Sequence, residues 1–106
     1  MRTLEFRVRG LRISYEPDDG PAPVAGSAGY LRAHFALGPD WRGMKIAASF
    51  YDERDVEHAV LLDRQRRCQV PDAVTGCRTF RVSLTGINGD AKIKTNTAKV
   101  HQEVAR

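Results

Sequence analysis

The sequence predicts an all-β fold, an antiparallel sandwich of about eight short strands, on three observations. Apolar and polar residues alternate with period two in at least five separate segments, as strands with one covered face do. Turn signals built on glycine, proline, asparagine and aspartate separate these segments at intervals of about 8–12 residues. Helical spacing fits only short stretches such as Ala98–Arg106, which includes the poor helix formers Val100 and Val104.

In chain order, Thr3–Arg9 sets Leu4, Phe6 and Val8 against Glu5, Arg7 and Arg9. Gly10 permits a tight reversal into a second strand carrying Leu11, Ile13 and Tyr15. Residues 16–29 hold three prolines and three glycines, so they form a long connection whose one candidate for the core is Val24. Tyr30–Leu37 turns Leu31, Ala33, Phe35 and Leu37 inward, and Gly38-Pro39-Asp40 makes a turn. Met44–Tyr51 buries Met44, Ile46, Ala48 and Phe50 and exposes Lys45, Ser49 and Tyr51. After the charged turn Asp52-Glu53-Arg54-Asp55, the run Val60-Leu61-Leu62 implies a strand covered at least partly on both faces. Arg66–Val70 ends at Pro71, which cannot donate to a ladder, and Pro71–Gly76 is a loop. Arg78–Thr85 turns Phe80, Val82 and Leu84 inward. Asn88-Gly89 predicts a type I′ hairpin. In the last segment Ile93 and Thr95 share one phase and Ala98 and Val100 the other, so a bulge near Thr95-Asn96-Thr97 must reset the register. Pairing is expected hairpin by hairpin. An immunoglobulin-like sandwich is the first choice and a small barrel the second.

The 106 residues suit a single domain over 1–106. No apolar run approaches the roughly 20 residues of a membrane helix, and Met1–Gly10 alternates charged with apolar groups, unlike a signal peptide. Composition therefore predicts a soluble protein made in a cytoplasm, with no membrane partner. The net charge of +4 lies wholly in residues 54–106, where ten Lys/Arg face six Asp/Glu; residues 1–53 hold seven of each. The basic residues are interspersed, the longest cluster being Arg64-Gln65-Arg66-Arg67. Solvated strand faces account for them better than a specific nucleic-acid site does.

Cys68 and Cys77 are too few for a disulfide framework and lack metal-site spacing. If Val70 faces inward so does Cys68, whereas the phase of Phe80 turns Cys77 outward. Opposite faces exclude the Cβ separation of about 4 Å that a disulfide needs. Sequence motifs for hydrolases, zinc proteases and nucleotide binding are absent. His34, His58 and His101 lie on separate strands, and the acidic turns at Asp18-Asp19 and Asp52–Asp55 lack calcium-loop spacing. No catalytic residue, cofactor or metal is expected. Trp41, the sole tryptophan, sits between two apolar strands and is expected to be a buried anchor rather than an exposed contact. Two surfaces remain as candidates for interaction: a lysine-bearing edge at Lys92 and Lys94, and the long connection around Asp19.

The stretches Gly29–Phe35, Asp40–Phe50 and Val60-Leu61-Leu62, followed by Cys68-Gln69-Val70-Pro71, Val82–Gly89 and Lys94–Thr97, run in a familiar order. In order and spacing the chain resembles, from Leu4 to Val100, a small β-sandwich module of phage and prophage tail and baseplate proteins of Gram-positive bacteria. The resemblance implies a non-enzymatic structural or adaptor role in the tail baseplate or receptor-binding apparatus. Its expected partners are other virion structural proteins, in many copies or as a homo-oligomer of a symmetric assembly, and its expected place is the virion. In that family linker and fibre or binding domains follow the module, so a chain ending at Arg106 is either a stand-alone virion protein or a fragment. Cys77 departs from the pattern. A capsid-surface decoration protein with an immunoglobulin-like fold is the runner-up, and a small basic nucleic-acid-binding β-barrel is the alternative of a different class.

Overall fold

Alternation along the first strand is realised directly: on β1 (Arg2–Arg9) Leu4, Phe6 and Val8 are buried, and Glu5, Arg7 and Arg9 face solvent. The computed structural model describes residues 1–18 and 20–104, of which strands make up 54% and helix 7%. β1 pairs antiparallel with β2 (Arg12–Glu16) across a turn in which Gly10 takes φ +57°. The strand β4 (Leu31–Ala36) lies on the other side of β1 and runs parallel to it. Beyond it β7 (Arg67–Gln69) completes a four-stranded sheet in the order β2-β1-β4-β7.

The parallel pair corrects the expectation of an antiparallel fold throughout. Glu16 at the end of β2 lies beside Glu5, and β4 starts with Leu31 beside Arg2, so the chain re-enters at the end of β1 where it left. β4 thus opposes β2 in direction and must run with β1. A parallel partner needs a crossover of a dozen residues or more, and residues 17–30 provide it. That connection holds the short strand β3 (Val24–Ala25), parallel to β11 (Glu103–Val104). Val24, the expected core contributor, is 46% exposed, and its neighbour Pro23 is buried instead.

The second sheet has the order β10-β8-β5-β6, built from β5 (Lys45–Tyr51), β6 (Glu57–Leu61), β8 (Thr79–Asn88) and β10 (Ala98–His101). The strand β9 (Ala91–Lys94) shares β8 with β10. Thr85 faces Lys94 and Val82 faces Ala98, so three residues (95, 96 and 97) oppose two (83 and 84). This is the bulge that the phase change requires. Thr95 holds it: its amide donates to the Leu84 carbonyl, and its buried Oγ1 accepts from the Leu84 amide and donates to the Asn96 carbonyl. The hairpin before it differs from expectation by one residue. Asn88 pairs with Ala91, so the turn centres on Gly89-Asp90, and the positive φ falls on Gly89 alone, at +60°.

One core unites the two sheets, with Phe6 stacked on Phe35 from the first and Phe50 near Phe80 from the second. Among the described residues the eleven strands exceed the expected eight because short ladders at β3, β9 and β11 count separately. Residues 71–76, read as a loop, contain the short helix α1 (Asp72–Thr75), which begins after Pro71 and buries Val74. Leu61, expected to be partly covered, is 65% exposed: it shares the exposed phase of β6 with Glu57 and Ala59, and among the described residues no strand flanks β6 on its outer side. Ser49 and Ser83, opposite each other on the outer phase of β5 and β8, are nonetheless buried; Ser49 donates to Glu57 Oε2 at 2.5 Å.

Trp41 ends the 3₁₀ turn Pro39–Trp41 and is 1% exposed, as an anchor should be. Its indole Nε1–H donates to the Gly10 carbonyl at 2.9 Å, and its ring lies against Gly86 of β8. It therefore fastens the β1–β2 hairpin to the second sheet.

Both cysteines are free. Cys68 on β7 is buried opposite Ala33, and burial, assisted by Asp63, pushes its thiol up to about 12. Cys77 lies partly exposed in the turn after α1. Only thiolates react appreciably, so a disulfide-exchange reagent is expected to label Cys77 quickly in native protein and Cys68 only after unfolding. Finding no reactive thiol in reductant-free protein would contradict this assignment. Since the folded Cys68 keeps its proton, the stability it contributes holds below the ordinary thiol value of 9.0. It is lost as pH rises towards about 12.

Candidate functional site

Three surfaces could serve as contact sites, and they differ in how each strand edge is protected. The first is the edge carrying Lys92 and Lys94. Both lysines are exposed on β9, facing Ile87 and Thr85 of β8, while Ile93 between them packs against the core. Lysines on an edge oppose pairing with another chain, and the bulge at residues 95–97 interrupts the ladder besides. The bulge has a second effect. It presents Asn96, whose Oδ1 accepts from the Ile13 amide of β2 at 2.8 Å. One side chain thereby occupies an otherwise free donor on the edge of the first sheet and ties the two sheets together.

The second surface is the long connection. Asp19 lies outside the described residues. Around it, Asp18 accepts from the Gly20 amide at 2.9 Å and pairs with Arg2 at 3.3 Å. The connection is held further along by Gly26 donating to the Thr75 carbonyl, Gly29 donating to Asp72 Oδ1, and Glu103 donating to the Pro23 carbonyl. These bonds leave a largely apolar groove of about 380 Å³ along Pro17, Pro21 and Pro23, walled by Arg2, Tyr15 and His101. Partial burial raises the pKa of the Tyr15 phenol above its ordinary value, and Arg2 opposes that effect.

The third surface, not anticipated from sequence, is β6. Its outer edge is unpaired among the described residues, and it carries exposed Leu61, with exposed Val56 just before it. The edges at β7, β2 and β9 are shortened or blocked: β7 has three residues, β2 takes the Asn96 bond, and β9 bears lysines. The strand β10, at the end of the second sheet, has four residues with Lys99 and His101 exposed. The signal lay in Val60-Leu61-Leu62, which reads equally as a strand covered on both faces or as an edge with one apolar residue left over.

The chemistry-bearing groups are dispersed. His34 pairs with Glu5 at 2.6 Å, His58 with Asp52 at 3.3 Å, and His101 meets Thr79 Oγ1 at 3.0 Å. The acidic turn is fully used within the protein. Asp52 accepts from the Arg54 and Val56 amides, Glu53 from the Arg78 amide, and Asp55 pairs with Arg81, whose guanidinium lies over the Tyr51 ring. The Val56 amide above all, with His58 and Arg54, holds the Asp52 carboxyl below the usual carboxylate range. Among the described residues no group of three acidic, histidine or cysteine side chains is placed to hold a metal ion. No helix there is long and apolar enough to cross a membrane. Comparison with protein-family models, curated proteins and solved structures finds no match to the chain.

Proposed function

We propose that the chain is a non-catalytic, immunoglobulin-like β-sandwich module of a phage particle, acting by protein–protein contact in the tail baseplate or receptor-binding apparatus. The observation that carries the contact role is the β6 edge, unpaired among the described residues and bearing Leu61 at 65% exposure, while the edges at β2, β7, β9 and β10 are short, blocked or lysine-bearing. An apolar edge of this kind suits strand addition or an apolar partner surface. The phage setting rests on the resemblance, whose stretches supply Phe35, Trp41, Ile46, Phe50, Val82 and Leu84, all buried here. The barrel alternative loses support because no ladder joins the two larger sheets among the described residues.

The test compares three variants in the strain that makes the particle: Leu61→Glu, deletion of Asp19–Ala25, and Lys92→Glu with Lys94→Glu. Leu61→Glu is expected to fold, since the side chain is exposed, yet to lower incorporation into particles by about tenfold, as loss of a contact residue does. Incorporation of all three at the normal level would overturn the proposal. Separating tails from heads distinguishes the baseplate reading from that of a decoration protein.

A further inference from the structure

We propose that the β1–β2 hairpin carries a binding site for a phosphoryl group, formed by Arg7, Arg9 and Arg12. The three arginines line a surface concavity of about 410 Å³, together with Ile13, Ser14 and Glu16. Register places them there. Arg9 lies directly opposite Arg12 and Arg7 opposite Ser14, on the face away from buried Phe6, Val8 and Ile13. Opposed residues in an antiparallel pair hold their Cβ atoms about 4.5–5.5 Å apart, and like charges so placed destabilise the ladder. Among the described residues a carboxylate reaches only Arg7, through Glu16 at 2.7 Å; Arg9 and Arg12 have no ion-pair partner.

An anion seated between the two strands would relieve that repulsion. Its chemistry follows from the number of donors. A carboxylate offers two oxygens and can be met by one guanidinium fork; Glu16 already takes the Arg7 Nε–H at 2.7 Å. Three arginines bordering one concavity from two strands call for more acceptor oxygens and more charge. A phosphoryl group has three terminal oxygens and a charge of about −1.5 to −2 as a monoester near neutral pH. The site is also bounded. In the next row Glu16 and Glu5 lie side by side, and Glu5 pairs with His34. The positive surface therefore ends after three arginines, which fits one compact group better than a polymer tracked across the sheet. Arg32 on β4 lies one row further on, beside Thr3, and Arg67 on β7 stands at the far end of the acidic row, separated from Glu5 by His34. The proposal stands apart from the virion reading.

Free phosphate and a phosphomonoester share this chemistry, whereas a nucleic-acid phosphodiester offers two free oxygens and one charge, so the experiment carries arms for each. Inorganic phosphate, a nucleoside monophosphate and a short DNA duplex are titrated into ¹⁵N-labelled full-length chain, reading the arginine Nε–Hε signals. The ionic strength is about 0.01 M, where charges interact over about 30 Å. Phosphate is expected to give saturable shifts at Arg7, Arg9 and Arg12, whereas acetate at matched ionic strength gives none. Arg9→Gln with Arg12→Gln is expected to weaken binding by about tenfold, and Glu16→Gln to strengthen it by about two- to fivefold by releasing Arg7. Asp90→Asn, the same charge change at the tip of the β8–β9 hairpin, should leave affinity unchanged. Saturable shifts with phosphate or the monophosphate support the site, and the tighter names its source. Absence of saturation with both, equal shifts with acetate, tighter binding of the duplex than of either, or full binding by the double arginine variant would overturn it.

Discussion

Replacing Trp41 with alanine is expected to lower the free energy of unfolding by about 3–5 kcal/mol, the range for large aromatic side chains removed from cores. Small domains have about 5–15 kcal/mol in all, so the variant should be marginally folded at best. Two contributions add at this site. The buried ring spans the gap between the β1–β2 hairpin and β8, and the indole N–H holds the Gly10 carbonyl. Urea unfolding should show a lower midpoint with an unchanged slope, because the surface exposed on unfolding hardly alters. Trp41→Phe keeps most of the packing and loses the hydrogen bond, so its effect should be smaller, about 1–2 kcal/mol. A loss below about 1 kcal/mol for the alanine variant would show that Trp41 is not the anchor between the sheets.

The second large effect is expected from adding a single methyl group. A Cβ at Gly86 would lie 2.9 Å from Trp41 Cζ3, 3.0 Å from Cε3 and 3.3 Å from the Met44 Cβ. The indole is a rigid plate hydrogen-bonded at its other end, so it cannot retreat without breaking the bond to Gly10. Gly86→Ala should therefore destabilise by about 1–3 kcal/mol, as overpacking does. In the Trp41→Ala background the same methyl has room, and its effect should fall to near zero or change sign. The resulting coupling is about 1–3 kcal/mol, read from unfolding of the four proteins in a double-mutant cycle. Equal effects in both backgrounds would mean that the ring is not what confines Gly86.

These two positions also show how much was legible in the sequence. Period two placed Leu4, Phe6, Val8, Phe35, Phe50, Phe80, Val82 and Leu84 in the core, and all of them are buried. The phase break between Thr95 and Ala98 located the bulge, because side-chain alternation is a local property of the chain. Pairing direction is not local. Whether β4 runs with or against β1 depends on which end of the sheet the connection at 17–30 returns to, and nothing in its prolines and glycines encodes that. For the same reason Gly86, one residue past the strand read over Arg78–Thr85, gave no sign that it faced an indole forty-five residues earlier in the chain.

The contact surfaces were legible in part. Lys92 and Lys94 are exposed on an edge, as their phase implied, but that edge is guarded, and the open one is β6. An edge is recognised by the absence of a neighbour, which a strand's own residues do not record. The opposed Arg9 and Arg12 were closer to being readable. A two-residue reversal at Gly10-Leu11 sets the residues on either side of it face to face, and both are arginine. Counting charge clusters along the chain favoured Arg64-Gln65-Arg66-Arg67 and passed over a pair that only the hairpin brings together.

The claim that this chain is a structural part of a particle is tested most directly by quantifying it in gradient-purified phage or phage-like particles from the strain that encodes it. Mass spectrometry against labelled standard peptides supplies the copy number. The account predicts co-purification with the tail fraction at a fixed ratio to a tail structural protein, a ratio set by the symmetry of the assembly and unchanged by washing at high salt. Recovery of the chain wholly in the particle-free lysate, or at a ratio that varies with salt and preparation, would contradict it.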